Sequence, residues 1–461
     1  MQRLFAICWL TWKAALRFRL FLVIAVLLLA AVVGLPLLLK DDGTARGFTQ
    51  ILITYTLSVI TALLGLSTLW LSCGTLARDI EECQIQIVST KPVARWQIWF
   101  GKWLGIVSLN AALLILSGAC VYGLLQWRAT RLPAAEQEIL RTQVLVARGV
   151  AQPPDFNAEI DARTEQLLQE RLKQTRISGA DLTLARRQLR EQVKAVYQLV
   201  PPQYTREWHI DLGFAKNFLH GRPLQLRVKF NTAQGSESGT FVGLWSVGEP
   251  GTPNVWYSEP MSLSPNVYHE IEIPPDRFNS QGVLTIDFQN VNNTTLLFPL
   301  EDGMEVLYPA GGFTLNFARG LGIIFCWMAL LAAMGLASAS FLSFPVATFF
   351  SLALLIVVFS SGTLSYAVQY GTVTGVNEET GAIGYTIADR VLIPFFKVIL
   401  AVVNVVKNFS PIDSLSTGRA IPWSELGAAF GQIVLLFGGV ISAIGISFFA
   451  RRELATAQGN Q

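Results

Sequence analysis

Three histidines, His209, His220 and His269, and five cysteines, Cys8, Cys73, Cys83, Cys120 and Cys326, are the side chains of this 461-residue chain best suited to metal or nucleophile chemistry. Such chemistry needs fixed offsets. An HExxH run puts two imidazoles on one helix face, and paired CxxC hooks close a tetrahedral zinc site. Neither pattern occurs. No cysteine falls between 127 and 312, and the spacing implies neither a disulfide framework nor a metal site. A phosphate-binding loop, G-x-x-x-x-G-K-[ST], is missing too. Gly101-Lys102 is followed by Trp103, and Trp96 stands where the first glycine would have to be. The chain is therefore read as non-catalytic, with no cofactor of its own.

The elements around these residues are apolar. Hydrophobic residues make up 52% and charged residues only 15%, where a soluble domain carries about 25% charged. Mean hydropathy is +0.43, and a net charge of +3 is too small to argue for nucleic acid. Bilayer cores need roughly 20 helical residues per span. Six spans are expected: 20–39, 50–77, 103–127, 314–340, 346–369 and 426–450. Phe344-Pro345 divides the fourth from the fifth, since proline removes a helix donor. Basic residues cluster before the first span (Arg3, Lys13, Arg17, Arg19), after the second (Arg78, Lys91, Arg95, Lys102) and after the sixth (Arg451, Arg452). Six spans place all three clusters on the cytoplasmic side. No cleavage site closes the first apolar run, which is read as a retained span of the cytoplasmic (inner) membrane. The stretch 372–425 is expected on the outer side, with 391–406 a re-entrant or interfacial helix and a short full span as its alternative.

Residues 128–312 change character and are expected outside. From 128 to 204, Leu167, Leu168, Leu172, Leu182, Leu189, Val193, Val196, Leu199 and Val200 recur at helical spacing, as in a hairpin or coiled-coil arm packing on its own seam. From 205 to 312 the period becomes two, at 224–230, 269–274 and 283–288, between turns rich in Gly, Pro, Asn and Ser. That pattern predicts a β-sandwich. Such a sandwich could bind carbohydrate, and Trp245, Trp256, Tyr257 and Tyr268 are the candidate contacts; core packing is the alternative for each.

The spans are nearly free of ionisable groups, which argues against an ion- or proton-coupled carrier. Their weakly polar residues either let helices pack closely or line a path. Ser58 and Thr61 in the second span, with Ser360, Ser361 and Thr363 at the outer end of the fifth, are the candidates for a translocation path.

Between the second and third spans lies STKPVARWQIWFGKW, 89–103. A helix starting at Val93 would place Val93, Trp96, Phe100, Trp103 and Val107 on one face, with Arg95 and Lys102 away from it. This predicts an amphipathic interfacial helix that then turns up into the third span. The alternative is a plain headgroup anchor.

The whole of 78–105, RDIEECQIQIVSTKPVARWQIWFGKWLG, resembles the second cytoplasmic loop of ABC-2 type permeases. The resemblance extends to the basic amphipathic helix at 2–19, the six-span layout and the short outer helices at 372–425. The insertion at 128–312 departs from compact members, which have a short loop there. The resemblance implies a fold class of multi-span α-helical membrane protein, with a large extracytoplasmic α+β insertion between spans 3 and 4. It implies a permease paired with a second permease chain, a copy or a relative, and driven by two cytoplasmic ABC ATPase subunits that carry the ATP and Mg. Residues 78–102 would be the coupling loop, with Glu81, Glu82, Thr90, Lys91, Pro92 and Arg95 as docking residues, and the N-terminal helix would lie beside it. Reversing Arg95 to Glu is then expected to weaken the ATPase complex and leave the fold intact. An exporter is the expected function. Its rivals are a membrane-anchored extracytoplasmic binding or scaffold protein and a secondary carrier.

Overall fold

The computed structural model describes residues 2–452 apart from 18, 39–43, 83–84, 86–92, 141–143, 175–178, 233–234, 236–237, 374–385, 387 and 408. Two units are present, Met1–Val146 with Gly312–Gln461, and Ala147–Gly311. The first unit begins with α1 (Gln2–Arg17) and α2 (Arg19–Leu38), followed by the long helices α3 (Ala45–Glu81) and α4 (Arg95–Ala129) and the short α5 (Ala134–Ile139). Thr44 starts α3 by accepting the Gly47 N–H at 3.1 Å, a side-chain cap.

α4 corrects the expected interfacial turn. It runs unbroken from Arg95 to Ala129, 35 residues, so residues 95–102 are the first turns of the same helix that makes the third span. Of the expected face, Val107 is buried and Val93, Phe100 and Trp103 pack against the core, whereas Trp96 is 49% exposed. Ile98, Trp99, Lys102 and Ile106 are buried as well, so neighbouring helices cover more of α4 than one apolar stripe. α1 crosses α4 at two glycines four apart, and a Cβ at Gly101 would meet Ile7 at 2.9 Å, one at Gly105 Thr11 at 2.7 Å. Small residues at that spacing allow the close approach. Trp12 Nε1 donates to Ser108 Oγ at 2.8 Å beside the crossing. On the other side of α1, Phe5, Trp9, Leu10 and Leu16 remain exposed.

The second unit starts one strand earlier than the periodicity predicts, at β1 (Val146–Ala151). The arm is a helical hairpin, α6 (Asn157–Gln174) and α7 (Gly179–Gln198). Leu168, Ala185 and Leu189 form its seam, with Leu167, Leu172 and Leu182 against them. Val193 is buried as well, but Val196 is 74% exposed and Leu199 lies in a strand, so the stripe ends sooner than the spacing suggests. Lys194 ties the hairpin to Glu301 at 2.7 Å.

The remaining strands are β2 (Leu199–Val200), β3 (Thr205–Asp211), β4 (Leu224–Val228), β5 (Asn231–Thr232), β6 (Phe241–Val247), β7 (Trp256–Tyr257), β8 (Met261–Leu263), β9 (His269–Ile273), β10 (Val283–Asn290), β11 (Leu296–Leu297) and β12 (Met304–Gly312). They make a four-stranded sheet, β1-β12-β4-β9, a five-stranded sheet, β3-β10-β6-β7 with β8 on β6, and a small β2-β11-β5 sheet. The inward residues of the two larger sheets share one apolar core that includes Trp208, Leu226, Trp245, Ile271, Phe288 and Val306. The four-stranded sheet keeps Arg148 with Glu270 at 2.8 Å and Arg227 with Glu305 at 3.1 Å.

The first unit resumes with α8 (Phe313–Phe341), α9 (Phe344–Phe359), α10 (Ser361–Tyr370), α11 (Asp389–Lys407) and α12 (Pro411–Ser416). The last helix, α13, runs Trp423–Arg451 and is wound as a π-helix over Phe430–Gly438. α8 lies at the centre, with Ile323, Ala332, Ala333 and Leu336 fully buried. Its glycines admit neighbours closely, Gly320 facing Leu415 and Gly335 facing Ser72.

Among the described residues, four helices are long and apolar enough to cross a membrane: Gly47–Glu81, Arg95–Ala129, Phe313–Phe341 and Trp423–Arg451. A fifth arises if Phe344–Phe359 and Ser361–Gln369 count as one span, bent by 55°. In α2 the qualifying apolar stretch is the shorter Val23–Leu35. These helices describe a membrane-embedded bundle of four to five spans among the described residues, against the six expected. The expected 391–406 helix is α11, with Ile393, Leu400 and Val403 buried and Val391, Phe395 and Val398 exposed.

Candidate functional site

The docking residues expected from the sequence gather, where described, at the end of the bundle where α3 stops and α4 starts. Each is held by backbone groups that helix ends leave unsatisfied. Glu82 closes α3, its N–H donating to Arg78 O at 2.8 Å. The exposed Glu81 carboxylate accepts the Phe344 N–H at 2.9 Å. It thereby caps the start of α9, where a negative charge is favoured. The Arg78 guanidinium lies 4.6 Å from the centre of the Phe344 ring. Thr90, Lys91 and Pro92 lie outside the described residues.

Arg95 reaches the opposite kind of terminus. Its Nη1 donates to the carbonyls of Phe449 at 3.2 Å, Ala450 at 2.8 Å and Arg452 at 2.7 Å, at the C-terminal end of α13. Positive charge is favoured there for the same reason that Glu81 is favoured at an N-terminus. Arg452 Nη1 in turn donates to Ser340 O at 3.2 Å, at the end of α8. Trp99, fully buried one turn above Arg95, donates to Ser340 Oγ at 3.2 Å. Lys102, expected away from the apolar face, is buried and donates to Thr75 O at 2.8 Å and to Asp79 Oδ2 at 2.5 Å. Arg95, Trp99 and Lys102 recur at helical spacing on the face of α4 turned to the bundle.

Through these bonds the last turn of α3 is joined to the start of α9 and the first turn of α4 to the C-terminal end of α13. A carboxylate at position 95 would face these three carbonyl oxygens, a cost that the expected Arg95→Glu reversal leaves out.

The candidate path residues divide. Ser58 and Thr363 are exposed, and Ser360 is the exposed residue at the 55° bend. Thr61 Oγ1 and Ser361 Oγ are buried with no hydrogen-bond partner among the described residues. Buried hydroxyls normally find one, so these two are the polar atoms of the set left open to a partner. Sequence reasoning missed a third polar position. Asn110, buried in mid-span on α4, donates to Thr68 Oγ1 on α3 at 2.8 Å. A lone amide within an apolar run was the available signal.

The four aromatic residues expected to contact a ligand in the sandwich are not brought together. Trp245 is only 2% exposed, 4.6 Å from Phe288 between ring centres, and belongs to the core. Trp256 is half-buried against the same core. Tyr268, next to β9, donates to Asp302 Oδ2 at 2.9 Å under the Arg227 guanidinium. Burial, then the bond to Asp302, hold its phenol above the ordinary value. Tyr257, on β7, is 73% exposed. The histidines occupy three separate places. His209 is near Thr285 at 3.3 Å, His220 pairs with Asp276 at 2.9 Å, and His269 contacts Ser264 O at 2.8 Å. Among the described residues no group of three or more His, Cys, Asp or Glu is arranged to hold a metal.

Compared with known protein families, curated proteins and solved structures, the chain matches none.

Proposed function

We propose that the chain is the transmembrane permease subunit of an ATP-binding cassette transporter, an exporter. In this reading it pairs with a second permease chain and takes mechanical work from separate cytoplasmic ATPase subunits that hold the ATP and Mg. α2 is the first of six spans, both termini are cytoplasmic in the inner membrane, and residues 128–312 are extracytoplasmic. The observation that carries the reading is the lashing of one bundle end. Glu81 and Arg95 flank the proposed coupling segment and bind helix termini of α9 and α13, so force applied between them has a route into the spans. ATPase docking then falls to Glu82, Thr90, Lys91 and Pro92, with Glu81 and Arg95 passing the movement on. Thr61 and Ser361 are the proposed polar contacts of the translocated molecule.

The test is co-purification from the native membrane in mild detergent, followed by replacement of residues 86–92 with a glycine-serine linker of equal length, which leaves the buried Ile85 in place. An ATPase is expected to accompany the natural chain and to be lost from the variant, whose melting temperature stays unchanged. An ATPase retained by the variant would sink the coupling assignment. A cysteine at 238 should react with an impermeant reagent on intact cells and one at 456 should not; the reverse would overturn the orientation. The compact unit Ala147–Gly311, with a core of its own, favours a second reading, an anchored extracytoplasmic binding protein. That reading predicts no associated ATPase.

A further inference from the structure

We propose that the outer face of the five-stranded sheet binds an oligosaccharide, seated along Tyr257, Ser246, Asp287 and Glu207. This inference is independent of the transport reading. The four residues form one straight row. Strand register sets Tyr257 directly opposite Ser246, Ser246 opposite Asp287, and Asp287 opposite Glu207. Side chains alternate along a strand, so Trp208, Ile286 and Val247 fill the core while the row faces outward. Three strand spacings give the row a length of about 14 Å. It begins at Tyr257 on the edge strand β7 and ends at Glu207 on the opposite edge strand, β3.

Two observations single out this row. The first is Tyr257 itself, 73% exposed, while Trp208, Trp245 and Phe288 of the same sheet are buried. It offers an open ring face at one end of a polar track. The second is a mismatch in hydrogen-bonding capacity. Ionised carboxylates only accept, and Glu207 and Asp287 stand directly opposite each other, an arrangement that destabilises a sheet. Neither has a lysine or arginine ion pair among the described residues, unlike Glu270 and Glu305 on the other sheet. The donors they do have are few. Ser246 Oγ donates to Asp287 Oδ2 at 3.3 Å, and His209 Nε2 lies 3.4 Å from Glu207 Oε1.

The row is thus rich in acceptors, poor in donors, and closed at one end by an aromatic face. A sugar chain supplies the complement, with hydroxyl donors around each ring and a C–H face that lies flat on Tyr257. Burial, and next the Glu207 charge, hold the Asp287 carboxyl above the ordinary carboxylate value.

The experiment uses the full chain in detergent on a broad glycan array, followed by calorimetry with a trisaccharide that the array retains. Tyr257→Ala should weaken binding about tenfold or more, as loss of an aromatic anchor does, and Tyr257→Phe should stay near the natural affinity. Glu207→Gln and Asp287→Asn should each weaken it several-fold, and Tyr268→Ala, on the other sheet, should leave it unchanged. Retention of no glycan would overturn the proposal. So would equal affinity in a Tyr257→Ala/Asp287→Asn double variant, or binding of spermidine alone, which would make the row a simple cation site.

Discussion

Arg95→Ala should free the C-terminal end of α13 without unfolding the bundle. Arg95 Nη1 faces three carbonyl oxygens at 2.7–3.2 Å, but one Nη carries only two hydrogens. At most two of these contacts have full strength at once. A hydrogen bond to a charged group contributes about 1.5–3 kcal/mol when well shielded, and Arg95 is only half-buried. A net loss of about 2 kcal/mol is therefore expected, corresponding to roughly 30-fold faster local opening. Hydrogen–deuterium exchange with mass detection reads this directly on peptides from Gly439–Arg451. Arg95→Lys keeps the charge and loses the fork, so its effect should be about half as large in free energy. Arg95→Glu should be at least as severe as alanine, since a carboxylate repels the carbonyls. Unchanged protection at 439–451 in Arg95→Ala would refute the cap. Equal loss of protection in α3 and α8 would refute its local character.

Gly105→Val should push α1 off α4, because its Cβ would meet Thr11 at 2.7 Å, at about 1–3 kcal/mol; thiol labelling of Cys8 should accelerate while the buried Cys73 stays protected. Trp245→Ala should destabilise by about 3–5 kcal/mol and Tyr257→Ala by about 0.5 or less, separable by thermal melts followed by tryptophan fluorescence and circular dichroism. The N–H groups of Thr386 and Val373, at 2.6 and 2.9 Å, hold the Asp389 carboxyl below the ordinary carboxylate range. A depressed native value means the stability it contributes is full above about pH 4 and is lost as pH falls through that lower value. The gap in melting temperature between the natural chain and Asp389→Ala should therefore be constant near neutrality and close on acidification; a gap that widens in acid would contradict the assignment.

Much of the architecture is legible in residue order. The runs at 50–77, 103–127, 314–340 and 426–450 lie within helices long enough to cross a bilayer, because length and apolarity are local properties. The period-two stretches became β4, β9 and β10, and the leucines of 167–189 became a hairpin seam, for the same reason. The site was less legible. Lys102 could be placed only off the apolar face, because composition along one helix says nothing about Thr75 and Asp79 on another. Trp245 looked like a ligand contact because an aromatic residue in a strand reads alike on either face until the second sheet is in place. Tyr257 came from the same pattern and proved open, which no local property could have told apart from Trp245.

The sequence by itself determined the apolar segments that demand a membrane, the switch from helical to alternating periodicity, and the small residues that permit close helix crossings. These follow from side-chain chemistry and spacing within a single element. Only the tertiary structure decided that α4 runs straight from Arg95 into the span and that Arg95 and Glu81 satisfy the ends of distant helices. It alone set Tyr257, Ser246, Asp287 and Glu207 in one row. These outcomes depend on hydrogen-bond partners and strand registers contributed by residues far apart in the chain, and those are fixed only when the elements meet.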